Sequence, residues 1–419
     1  MRTALPFAAF VALCWLGPAS LCAQGEFQLK YADADERDPL VATGGPRIYS
    51  SPKRPAALKA LPKDVSDKVT YLAIRVGGKS VPAVVEYGDA TRLFVDGTGT
   101  GDLSAAAPLA ATGPPGRGGE QMFGPVTLPA GDAAGGASVK VRLRLERVER
   151  SGLIRRNAPA SAPVYGLTAF PAGYMAGEVR VAGQTYRLAV VDGNTDGRYD
   201  AALDLSAARP PSHDTLAFDC DRDGLFAAQD YRGPGEILPM LPLLQVKDAY
   251  YTVAPAPDGS SVRLEKADPK CGTLDVGSTD VALTLMSSAG VVVRLGGSQG
   301  KWQVPAGKCR AMFLVITRTD SAGAKWTLMS SRNMGALADL DVRPGETLSV
   351  KVGPPLALKV VAEGQEGRRV RISASLKGQA GEEYAESIFL LKDGHDAPPT
   401  LRIFDEAGKA LASTAFGFG

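Results

Sequence analysis

Apolar and polar residues trade places at every second position through much of this chain, in short runs cut off by glycine or proline. The clearest run is VKVRLRLERV at 139–148. There Val139, Val141, Leu143 and Leu145 fall on one side of the alternation, and Lys140, Arg142, Arg144 and Glu146 on the other. A period of two belongs to a strand with one buried and one wet face. VTYLAIRV, VPAVVEY, GEVRVAGQTYRLAVV, GVVVRL, CRAMFLVIT and RRVRISASLK read the same way, and no long stretch carries the 3.6-residue period of an amphipathic helix. With 48 glycines and 30 prolines in 419 residues, turn formers are frequent enough to separate such strands. The expected fold class is all-β, mainly antiparallel, with duplicated β-hairpin modules followed by β-sandwich (Ig-like) domains.

Along the chain, residues 1–23 read as a signal peptide. Arg2 precedes an apolar stretch from Leu5 to Leu16, Gly17-Pro18 breaks it, and cleavage is expected after Ala23. Residues 24–65 are polar and proline-bearing, an irregular lead-in. A β-domain with acidic Asp/Gly loops is expected over 66–235, a β-sandwich-like domain over 236–353 and an Ig-like β-domain over 354–419. The stretches 105–119 and 157–163 read as flexible loops. A loose repeat runs through the first of these domains. From Ile74 and again from Val179, a strand meets a two-residue turn (Gly77-Gly78, Ala182-Gly183), a strand returns and an Asp-Gly loop follows. A third hairpin of this style begins at Val246.

The Asp-Gly loops carry the candidate chemistry. Calcium takes six to eight oxygen ligands, and a short loop supplies them when alternate side chains point inward. In DCDRDGLFAAQD, 219–230, the ligands would be Asp219, Asp221, Asp223, the Leu225 carbonyl and Asp230, with Gly224 at the sharp turn. In DGNTDGRYD, 192–200, they would be Asp192, Asn194, Asp196, the Arg198 carbonyl and Asp200. This second loop is incomplete, since Leu203 stands where a closing acid is wanted and Asp204 comes one residue late. In a third, DGTGTGDLS at 96–104, Thr98 and Thr100 replace the acids, so it reads as a relic or a purely structural turn. Asp and Gly are also the commonest turn residues, so an unoccupied acidic turn is the competing reading for each loop. The 192 and 219 loops are near enough in sequence to sit side by side and brace one another.

The 219–230 loop resembles the calcium loop of EF-hand, dockerin and excalibur-type modules, with Asp rather than Glu closing it. The entering segments TYRLAVV and TLAF are strand-like, which is closer to strand–loop calcium proteins such as thrombospondin type 3-like repeats. The whole arrangement is similar to uncharacterised secreted bacterial proteins whose β-hairpins end in VD-x-N-x-DG loops and whose last residues form a β-sandwich. The resemblance implies calcium as a structural cofactor and a fold, and no reaction.

Composition narrows the function classes. The 47 basic and 45 acidic residues nearly cancel, which points to neither nucleic acid nor an anionic membrane as a partner. No stretch after residue 23 is apolar for long enough to span a bilayer, so the expected location is secreted, periplasmic or cell surface. Of five cysteines, Cys14 and Cys22 leave with the signal. Cys271 and Cys309 are the natural disulfide pair in an oxidising compartment, or else two small buried hydrophobes. Cys220 lies among carboxylates that disfavour its thiolate.

Enzyme signatures are thin. GGSQG at 296–300 places Ser298 between strand-like flanks, where a hydrolase elbow needs a strand and then a helix. His213 and His395 are the two histidines, too few for a His-based zinc site. Paired carboxylates for glycoside hydrolysis stay open, though aromatics are 7% with three Trp, sparse for a sugar-cleaving cleft. The sequence favours a structural, adhesive or binding protein without an evident catalytic site, its partner a cell-surface polysaccharide or protein. The alternative is a secreted hydrolase, or a hydrolase accessory module, directed at carbohydrate or peptide through acids on loops. Trp302, Trp326 and Tyr250-Tyr251 are candidates for carbohydrate contact, with core packing the competing role.

Overall fold

The computed structural model describes residues 24–415, apart from 36, 43, 89, 117–118, 131–137, 149–162, 208–212, 229–234, 298–299, 332, 365–369, 385–390, 393–394 and 397–399. The 1–23 signal, most of the 157–163 loop, Asp230 and Ser298 lie outside the described residues. The molecule is all-β. Among the described residues no helix reaches seven residues, and the described strands pair antiparallel except Cys271–Asp275 with Thr347–Ser349. The alternation at 139–148 is realised as expected: Ser138–Val148 buries Val139, Val141, Leu143 and Leu145 and turns the charged residues between them outward.

Two sandwiches share one topology. In the first, a meander of Val69–Val76, Lys79–Glu86 and Arg92–Val95 packs on a sheet of Ile48–Tyr49, Val164–Pro171, Ser138–Val148 and Gln121–Pro129. In the second, Gly173–Val181, Gln184–Val191 and Thr215–Phe218 form the meander, extended by Ile237–Pro239 and Lys30–Asp33. It packs on Gln24–Gln28, Ser261–Ala267, Ala249–Pro255 and Leu243–Val246 through Val179, Tyr186, Leu188, Phe218, Leu244 and Val262. Both meanders open with a hairpin whose two-residue turn lies at positive φ, 51° and 80° at Gly77-Gly78 and 49° and 74° at Ala182-Gly183. That turn type matches the right-handed twist of the strands it joins. In both, an early short strand completes the second sheet by pairing with its last strand: Ile48–Tyr49 with Val164–Pro171, and Gln24–Gln28 with Ser261–Ala267.

The first sandwich is nested inside the second. Lys30–Asp33 pairs directly with Gly173–Val181, Asp33 opposite Gly173, and the Ala34 N–H is 3.0 Å from the Ala172 oxygen it donates to. Residues 24–65, expected as an irregular lead-in, thus hold three paired strands, and the stretch 66–235 contributes to both sandwiches. The partners of the first two lie well over a hundred residues downstream, so local periodicity carried little sign of them.

A third sandwich sets Lys301–Pro305, Cys271–Asp275 and Thr347–Ser349 against the sheet of Val291–Leu295, Val281–Ser287, Gly307–Thr319 and Lys325–Ser330. Cys271 lies on the first of these sheets and Cys309 on the second, and both carry free thiols. Each sulfur donates to a carbonyl two residues back, Pro269 and Gly307. The expected pairing is therefore not formed, and the two thiols serve as small apolar side chains, Cys309 within the third core and Cys271 packed against it. In the C-terminal segment, Ala357–Gly364 with Val370–Lys377 and Thr400–Phe404 with Ala410–Ala415 form separate two-stranded hairpins. No described helix is long and apolar enough to cross a membrane.

Candidate metal centre

Asp219 follows directly on Thr215–Phe218, whose four residues are all buried, and its own side chain is buried at the sheet end. Asp221 and Asp223 are exposed, and a carboxylate oxygen from each of the three lies within 4.8 Å of the others. The turn is held from within. The Asp223 N–H donates to Asp219 Oδ1 and Asp221 Oδ1, both at 3.1 Å, the Gly224 N–H to Asp219 Oδ2 at 3.0 Å, and the Leu225 N–H to Asp223 Oδ1 at 2.8 Å. Arg222 and Gly224 have φ of 66° and 86°, a backbone that costs an L side chain about 1–2 kcal/mol. Gly224 fits it; Arg222 is held there by the bonds on either side.

The 192 loop repeats this bond for bond. The Asp196 N–H donates to Asp192 Oδ1 at 3.0 Å and Asn194 Oδ1 at 2.9 Å, the Gly197 N–H to Asp192 Oδ2 and the Arg198 N–H to Asp196 Oδ1, both at 2.8 Å. Thr195 and Gly197 take φ of 57° and 85° at the matching positions. Asp200 is engaged elsewhere, accepting from Arg198 Nε and Nη2 at 3.0 and 2.7 Å. The acid that does approach is Asp214, which the loop spacing did not single out. It is fully buried, and its oxygens accept from the Gly193 N–H at 3.2 Å and the Ala201 N–H at 2.7 Å. Burial first, and the Asp196 charge after it, push the Asp192 carboxyl up to about 7 against the N–H bonds it accepts. Burial, then Asp192 and Asp196, push Asp214 up to about 8.

The 96 loop has the same backbone without the acids. The Gly101 N–H donates to Asp96 Oδ2 at 2.6 Å, the Thr100 N–H to Thr98 Oγ1 at 3.4 Å and the Asp102 N–H to Thr100 Oγ1 at 3.3 Å. Gly99 and Gly101 occupy the two positive-φ positions, at 71° and 81°. Burial alone would raise the Asp96 carboxyl. The Thr98 hydroxyl and the Gly101, Gly99 and Thr98 N–H groups outweigh it and hold the carboxyl below its usual range. The 96 loop follows the third strand of its meander, so its structural counterpart is the 219 loop, although the sequence repeat sets it against 192.

Comparison of the chain with protein-family models, curated proteins and solved structures returns no match.

The two acid-rich loops do not sit side by side. Gln184–Val191 and Thr215–Phe218 are antiparallel, with Val191 opposite Thr215 and Leu188 opposite Phe218. The loops therefore leave opposite ends of the sheet, Asp192 and Asp219 about 16 Å apart along the strands at the ~3.3 Å rise of a strand residue. Cys220 contacts neither thiol; its sulfur receives Arg294 Nη1 of the third sandwich at 2.6 Å. Burial, together with the Glu236 and Asp219 charges, raises that thiol against the lowering effect of Arg294.

Of the other candidates, Tyr250 and Tyr251 are buried in the cores. Trp302 is half-buried and donates its indole N–H to the Gly296 carbonyl, and Trp326, also half-buried, donates to Asp320. Half-buried His213 has a buried Nδ1 with no hydrogen-bond partner. The side chain of His395 lies outside the described residues.

Proposed function

We propose that the chain is a secreted or periplasmic β-protein whose second sandwich is stabilised by calcium at residues 219–225 and 192–198, and that it serves as a structural or binding module. The observation that carries the reading is one turn occurring three times with three internal bonds in common. Where its second and third side chains are Thr, the first aspartate is satisfied by protein donors alone. Where they are Asp, in the 219 loop, three carboxylate oxygens converge within 4.8 Å, and where they are Asn and Asp, in the 192 loop, burial and then the Asp196 charge raise the Asp192 carboxyl. Hard oxygen donors in a short loop suit a calcium ion, and among the described residues the group at 219 is made of aspartates alone. Arg2 ahead of the apolar stretch at 5–16 supports export, and extracellular calcium is abundant enough to fill modest sites.

The test is calorimetric. Purified protein stripped with chelator should melt at lower temperature than the same protein in calcium, and titration should count two ions per chain. A cation bound only by the folded state adds about 2.7 kcal/mol when present at a hundred times its Kd. A melting temperature that chelator leaves unmoved, with no heat of calcium binding, would sink the reading.

A further inference from the structure

Each acid-rich loop is shut by a carboxylate from outside it. Asp214, one residue before Thr215–Phe218, bridges the Gly193 and Ala201 N–H groups, which are the second residue of the 192 loop and the first residue past Asp200. Glu236, one residue before Ile237–Pro239, does the same for the next loop. Its Oε1 accepts from Cys220 and Asp221 and its Oε2 from Ala227, at 3.2 Å for the last. The backbone answers identically in both: the Asp214 N–H donates to the Ala201 carbonyl at 2.9 Å, and the Glu236 N–H to the Ala227 carbonyl at 2.7 Å. Both acids are almost wholly buried. The threonine loop is held differently. The Lys59 N–H donates to the Gly101 carbonyl at 2.7 Å and the Leu103 N–H to the Ala60 carbonyl at 3.1 Å, so a neighbouring segment of backbone takes the place of the acid.

We propose that Asp214 and Glu236 are positioning residues which set the metal affinity of the loop preceding them by fixing its two ends; this rests on the calcium reading above. All of Glu236's described hydrogen bonds go to backbone, so it shapes the ring of ligands without belonging to it. An open loop would have to be ordered by the ion itself, and that conformational entropy would be subtracted from binding. A carboxylate pinning both ends moves this cost into folding. Removing such supports around a metal typically weakens affinity 10- to 100-fold.

Glu236→Gln carries the test. An amide keeps one acceptor for Cys220 and Asp221 but turns its N–H₂ toward the Ala227 N–H, so one arm of the bridge is lost. Full-length wild type, E236Q and D219N, all stripped of metal, are titrated with calcium chloride. D219N identifies which class of site belongs to the 219 loop. E236Q should weaken that class at least tenfold and leave the other unchanged. The rise in melting temperature from chelator to calcium should also shrink, whereas a merely structural role would lower both melting temperatures equally. Wild-type affinity in E236Q, or an unchanged calcium-induced rise, overturns the proposal while the calcium reading stands. A wild type that binds no calcium removes both. Should E236Q be too unstable to titrate, D214N supplies the mirror measurement at the 192 loop.

Discussion

Asp96 and Asp192 occupy the same place in the same turn, both buried, both accepting from the residue five positions on. Their carboxyls are nevertheless displaced in opposite directions. Thr98 gives Asp96 a hydroxyl donor, whereas Asp192 faces Asp196 and Asp214. The consequence is a pH dependence with a definite sign. Unfolded aspartates titrate near 4, and in the fold Asp192 and Asp214 titrate at about 7 and about 8. Their protonated forms favour the metal-free fold fully below pH ~4, and that contribution is lost as pH rises through the folded values. On the calcium reading the ion would have to displace the proton of Asp192, and its binding would strengthen over this window. In chelator the melting temperature should fall between about pH 5 and pH 8.5, and the gap between calcium and chelator should widen. A gap that stays constant across the window would refute the titration of these two acids.

At the scale of the loop, the three turns separate backbone from ligand. Asp96→Ala strips acceptors from the Gly99 and Gly101 N–H groups, each worth about 1–3 kcal/mol when left unpaired. Chemical unfolding should show that loss equally with and without calcium. Asp219→Ala should cost more in calcium than in chelator. Equal losses for D219A in the two conditions would make the 219 loop another metal-free turn. Much of this was legible in the residues. The alternation at 139–148 and the Gly-bearing hairpin turns fixed strands and turns, because both are local. The Asp-x-Asp-x-Asp-Gly spacing found the 219 turn for the same reason. Asp214 and Glu236 escaped notice because they act across a loop of variable length. Their trace in sequence is an acid immediately before an apolar strand, DTLAF and EILP. The placing of the two loops at opposite sheet ends depends on antiparallel pairing, which spacing alone does not convey.

Across the whole molecule, the acidic loops occupy joints. Gly197 faces the first sandwich so closely that a Cβ there would lie 2.9 Å from Ala130 and 3.1 Å from Val139. Leu203 and Leu205, just beyond, pack with Met286 and Val292 of the third, and Arg294 ties the third to Cys220 and Gly235 beside the 219 loop. The first sandwich is nonetheless an excursion whose ends meet, the Gly45 N–H donating to the Ala169 carbonyl at 2.8 Å. Replacing residues 46–168 by a short Gly-Ser linker should leave a chain that melts cooperatively and keeps the calcium response of the full-length protein. Loss of both properties would show that the outer sandwich depends on the inner one. Nesting also dictates an order of assembly. A ribosome delivers Gln24–Gln28 and Lys30–Asp33 first, yet their partners Ser261–Ala267 and Gly173–Val181 come later. The inner sandwich can close once residue 171 has been made, while the first strands of the outer one wait as open edges, the state most prone to stray pairing. The earliest-made part of the outer sandwich is therefore among the last to be secured.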